Sequence, residues 1–183
     1  MNKNTFWNDA ARTGAVMALV QILSAVAGLY WKSPLLTLLS VAVLVTLLYL
    51  FVRDRARRQG SEGYGFGACM KYVFWMMVFA GILYGAWEIV ARNVLFTERY
   101  EQTLAENLSI VAKSLPAAQL DDAAALSRKV LFAPLWIVVQ CIFGCVIQGV
   151  FFGLFVSAFA RREPDVFADD DDTSDPSSDE RRE

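Results

Sequence analysis

Histidine is absent from this 183-residue chain, which removes Ser-His-Asp triads, Cys-His pairs, H-E-x-x-H zinc sites and imidazole general bases in one step. Charge is scarce as well. Asp, Glu, Lys and Arg make up 20% of the residues and hydrophobic types 56%, against about 25% and 45–50% in ordinary soluble domains. That balance argues against a soluble fold. Only three cysteines occur, Cys69, Cys141 and Cys145. None lies in the loop expected on the outer side, so no extracytoplasmic disulfide is predicted. Cys141 and Cys145 lack the further Cys, His or carboxylate ligands that a soft metal needs, and neither metal nor cofactor is expected. No Ser or Cys has an activating base nearby in sequence. The chain is therefore read as non-enzymatic, with no nucleic-acid partner.

What the sequence has instead is long runs with no charge or, at 72–91, a single one: 13–30, 33–52, 72–91 and 130–160. Each matches the roughly 20 helical residues that cross a hydrocarbon core about 30 Å thick. In lipid every backbone N–H needs a partner inside its own segment, and barrel strands would alternate with period two, so helices are preferred. The fourth run is longer than one bilayer requires, and its span is placed at 134–160, from Pro134 onward. Trp31 and Lys32 alone separate the first two runs, with Pro34 just beyond, which suits a tight turn and an antiparallel hairpin. The expected fold is all-α: an integral membrane four-helix bundle over 1–162, with spans near 13–30, 33–52, 72–91 and 134–160. An amphipathic extracytoplasmic helical segment is expected over 93–129.

Charge divides the chain further. Residues 1–162 carry 15 basic against 9 acidic side chains, a net +6, whereas residues 163–183 carry 2 against 10, a net −8. The latter segment, with Asp169, Asp170, Asp171 and Asp172, reads as a disordered acidic tail. An even number of spans puts both termini on one side. That side collects nine cations against six on the other, so the positive-inside rule assigns both termini to the cytoplasm.

Between the second and third spans, Arg53, Arg55, Arg57 and Arg58 precede a glycine-rich stretch that ends at Lys71. The stretch lacks the Gly-Lys-Ser/Thr pattern and the strand-to-helix setting of a nucleotide loop. It reads as a juxtamembrane linker, or as a headgroup site formed by those five cations, since each gains about 1 kcal/mol beside an acidic leaflet. Arg57-Arg58 followed by Gly63-Tyr64-Gly65-Phe66-Gly67-Ala68-Cys69-Met70-Lys71-Tyr72 resembles the pattern of domain-of-unknown-function family number 4199, a bacterial family of uncharacterised membrane proteins. The resemblance covers the organisation from Phe6 to Arg162. It departs at Gly65, where Ser is commoner, and in the acidic tail. It implies four spans, a charged amphipathic segment between the third and fourth, and an inner-membrane protein of unknown function, and it supplies no catalytic residues.

Within the spans, Cys141, Cys145, Gly149, Gly153 and Ser157 recur every four residues and form an inclined small-residue groove. Gly81 and Gly85 on the third span, and Ser24 and Gly28 on the first, offer matching small pairs. Packing within the monomer and self-association fit this ladder equally well. Glu88 is the one ionisable residue inside a run; Arg92, four residues on, favours a structural pair over a relay. Gln21 and Gln148 fall near mid-depth and are expected to face the interior, where amides find partners. The residues favour an accessory or assembly component that contacts membrane lipid, a second copy or another membrane protein. The alternative is a small channel or transporter for a polar solute.

Overall fold

The computed structural model describes residues 3–31, 33–58, 64–112 and 117–160. Residues 59–63 of the glycine-rich stretch, residues 113–116, Arg161, Arg162 and the acidic tail lie outside the described residues. Those described form six helices and no strand. Helices α1 (Lys3–Tyr30), α2 (Pro34–Arg58), α3 (Phe66–Val90) and α6 (Pro134–Ala160) are long, and α4 (Thr97–Val111) and α5 (Ala117–Phe132) connect α3 to α6.

Four stretches, Thr5–Tyr30, Pro34–Arg58, Phe66–Leu95 and Pro134–Ala160, are long and apolar enough to cross a membrane. Large apolar side chains stand on the bundle surface, among them Leu23 (69% exposed), Leu35 (75%) and Phe159 (81%). A surface of that kind belongs in lipid. Two hydroxyls of the second span find partners in their own helix, Ser40 on the Leu36 carbonyl at 2.9 Å and Thr46 on that of Ala42 at 2.7 Å.

Helices outrun the uncharged segments. α1 begins ten residues before 13, α2 runs six beyond 52 and α3 starts six before 72. The reason is physical: absence of charge marks only the hydrocarbon layer, whereas the helix continues into the headgroup layer wherever its polar side chains find partners. Ends are set by local chemistry. Pro34 and Pro134 occupy the first helical position, where their missing N–H costs nothing. Ser33 and Ala133 precede them and accept the first backbone bonds, from Leu36 at 3.1 Å and from Ile137 at 3.0 Å. Pro134 thus interrupts what would otherwise be a continuous helix from α5 into the fourth span.

Helix α3 is central, packed along α6 on one side and α1 on the other, with α2 resting against α1 and α6. The shared core is unevenly placed. Phe6, Ala10, Met17 and Ala18 of α1, and Leu44, Leu48, Val52 and Ala56 of α2, share one buried cluster with α3 and α6 in the half that carries the Arg53–Arg58 cations. Toward the opposite end, where α4 and α5 lie, α1 and α2 contribute no fully buried apolar side chain. The bundle is closed at its basic end and splayed at its hairpin end.

Candidate functional site

The small residues decide where helices touch. A Cβ on Gly81 would stand 2.7 Å from the Ile142 Cα, and one on Gly85 3.1 Å from the Val138 Cα. From the other side, a Cβ on Gly149 or Gly153 would meet Met77 Cγ at 2.4 Å or Val73 Cγ1 at 3.0 Å. Cys141, Cys145, Gly149, Gly153 and Ser157 are all buried. The ladder faces α3 within one chain. Ser24 and Gly28 do not take part: Gly28 has open space around its Cβ position, and Ser24 lines a cleft. The small residues of α1 that pack are Ala10, Gly14 and Ala18. A Cβ on Gly14 would lie 2.7 Å from the Met76 carbonyl oxygen. Their own four-residue spacing was the available signal, hidden because Ala10 precedes the uncharged run.

At the basic end the five cations part company. Arg55 is 6% exposed and turned inward, its Nη1 on Asp9 Oδ2 at 2.7 Å and its guanidinium 5.5 Å from the Phe6 ring and 5.6 Å from that of Tyr72. Tyr72 and Thr13 share a hydrogen bond at 3.0 Å. These contacts join α1, α2 and α3, so Arg55 holds helices together and does not meet headgroups. Arg58 pairs with Asp54 at 2.6 Å in an exposed position, and Arg53 lies over Tyr49 at 5.8 Å. Arg57 and Lys71 are exposed. Trp7 and Trp75, 4.6 Å apart edge to face, flank this end. Tyr64 is buried beside the group and donates to the Ala68 carbonyl at 3.2 Å; burial pushes its phenol up to about 12.

At the hairpin end, Glu88 is 2% exposed. Its Oε2 accepts from Arg92 Nε at 2.8 Å and from the Tyr100 hydroxyl at 3.1 Å. A π-helical turn, Ala91–Leu95, joins α3 to α4 and is closed by Phe96 N–H donating to the Ala91 carbonyl at 2.8 Å. The wider turn swings α4 so that Tyr100 reaches back to the carboxylate, its ring 5.3 Å from the Arg92 guanidinium. Burial first, then the Glu88 charge, raise the Tyr100 phenol to about 12, so it stays a neutral donor. Arg92 Nη1 also reaches the Leu131 carbonyl at 3.4 Å. Tyr100 is the member of this cluster that sequence spacing within one helix does not reveal.

Two clefts open in the splayed half. One, of about 450 Å³, lies between α1, α2 and α3, with Gln21, Ser24, Ser33, Thr37, Ser40 and Tyr84 on its walls. The other, of about 620 Å³, lies between α1, α3 and α6 and takes in Gln21, Tyr84, Arg92, Gln140 and Gln148. Gln21 and Tyr84 border both. Gln21 Nε2 donates to Cys145 Sγ at 3.3 Å and to Gln148 Oε1 at 3.4 Å. Gln140 is exposed and has no hydrogen-bond partner among the described residues.

The profile described as "Protein of unknown function (DUF4199)" matches residues 10–162. No curated protein and no solved structure matches the chain.

Proposed function

The chain belongs to the DUF4199 family of proteins of unknown function, and from that premise we propose that it is a non-enzymatic component of the bacterial inner membrane that engages lipid or another membrane protein through its splayed half. The observation that carries this reading is the exposed polar lining at bilayer depth. The Gln140 amide, exposed and without a side-chain partner among the described residues, costs several kcal/mol in bare hydrocarbon, and the cleft beside it offers room for a group that pairs with it. Both termini are assigned to the cytoplasm by the cation excess at the basic end. The accessory reading is further supported by where the nucleophiles lie. Cys69, Cys141 and Cys145 are buried, and the chain holds no histidine to activate them.

Passage of a polar solute is the second reading, favoured by one feature: Gln21 and Tyr84 line both clefts and so link them across the bundle. Against it stands the apolar core that fills the basic half, from Leu44 to Ala56 on α2 and from Phe6 to Ala18 on α1. A photoreactive residue at Gly144, whose Cβ position is open, separates the two. Adducts with lipid or with one defined membrane protein support the accessory reading. Solute flux through liposomes containing the purified chain alone, with no such adduct, supports transport and overturns it.

A further inference from the structure

The cleft between α1, α3 and α6 changes character along its length. At its hairpin end stands Arg92, level with the α5–α6 junction through its contact with the Leu131 carbonyl. Below it come Gln140 with Tyr84 at its level, then Gln21, Ile147 and Gln148 together, and deepest Phe151; Ile147 and Phe151 are 65% and 57% exposed on the outer face of α6. From Gln140 to Phe151 the helix rises about 16 Å. A cation at headgroup depth, amides beneath it and an apolar runway opening sideways form the polarity gradient of a lipid.

Arg92 retains donors for such a ligand. Of the five N–H groups on a guanidinium, one goes to Glu88 from Nε and one to the Leu131 carbonyl from Nη1. Glu88 itself is enclosed, with both Arg92 and Tyr100 donating to it, so its charge faces the protein. Gln140, without an internal partner, lies on the same wall. A water-soluble anion would use Arg92 but leave Ile147 and Phe151 without a role.

We propose that this cleft binds one anionic phospholipid, its phosphate held by Arg92 and Gln140, its ester carbonyls beside Gln148, and an acyl chain along Ile147 and Phe151. The proposal rests on the reading that the splayed half engages a membrane component, and it narrows that component to lipid.

The test uses the full-length chain, purified in mild detergent, delipidated and titrated with phosphatidylglycerol or with phosphatidylcholine of the same chains. Retained lipid is counted by native mass spectrometry. One phosphatidylglycerol per chain is expected, held about tenfold more tightly than phosphatidylcholine, as a charge-assisted contact gives. Two variants at exposed positions leave the fold intact: Gln140→Leu removes the amide, and Ile147→Trp fills the runway. Each should weaken retention by about tenfold or more, whereas inorganic phosphate should not displace the lipid. Equal retention of the two lipids, indifference to both variants, or displacement by inorganic phosphate would overturn the proposal. So would a crosslink between two copies through residue 144 that excludes lipid, since the face would then belong to a second chain. If no phosphatidylglycerol is retained while the residue-144 probe still captures a defined membrane protein, this inference fails and the broader reading stands.

Discussion

At Gly81 the backbones of α3 and α6 come so close that a single methyl would stand 2.7 Å from a Cα. No side-chain rotation relieves a clash with backbone, so Gly81→Ala must push the helices apart. The expected cost is about 1–3 kcal/mol, read as a lowered unfolding midpoint in detergent. Gly144→Ala, on the same pair of helices but facing open space, should change stability by less than about 0.5 kcal/mol. Equal effects would show that these glycines do not set the crossing. Glu88 has a comparable local logic. Glu88→Leu strands Arg92 beside a carbonyl and should cost about 3–5 kcal/mol, while the double change Glu88→Leu with Arg92→Leu should recover most of that loss. Full stability in the single variant would contradict a structural pair. Spacing within one helix made Glu88 and Arg92 legible as neighbours. It says nothing of Asp9, which meets Arg55 from 46 positions away, because a long-range partner leaves no periodic trace.

Elements were legible to the extent that hydrocarbon forbids charge. The four runs with at most one charge locate the spans for that reason, and Tyr100, Leu104 and Leu108, four residues apart, lie along α4. Neither pattern reveals the π-helical turn at Ala91–Leu95, which arises where two helices must change direction without losing backbone bonds. Its effect is to bring Tyr100 onto Glu88. Tyr100→Phe should therefore loosen α4 from the bundle and lower stability by about 1–2 kcal/mol at neutral pH. The sign with pH follows from the raised phenol. Its bond is intact below the ordinary value of 10.0 and is lost as pH climbs through about 12. The stability difference between the native chain and Tyr100→Phe should stay constant up to pH 10.0 and narrow above it. A difference that widens in that range would place the phenol elsewhere.

For the whole molecule, the division into a filled half and a splayed half is invisible in composition, since Leu35, Leu38 and Leu39 read as buriable as Leu44 and Leu48. What separates them is whether a neighbouring helix covers them: Leu44 and Leu48 are buried, Leu35, Leu38 and Leu39 exposed. Cysteine replacements should report it. Ser24→Cys and Thr37→Cys, on the walls of the open cleft, should react with a small water-soluble maleimide, while Leu48→Cys and Val52→Cys, fully buried, should stay unlabelled until the protein unfolds. Uniform labelling of all four would mean that the two halves do not differ.

That α1 ends at Tyr30 and α2 begins at Pro34 has a mechanical consequence: the connection is short. It joins the two helices at the end where they share no filled core, so the pair behaves as a clip whose stiff grip is at the basic end, where Arg55 is fastened to Asp9. Lateral pressure in the leaflet around the open end acts on unfilled space and changes the area the protein occupies there, whereas the same pressure in the other leaflet meets close-packed side chains. The protein is thus expected to yield more to lateral pressure at its open end than at its close-packed basic end.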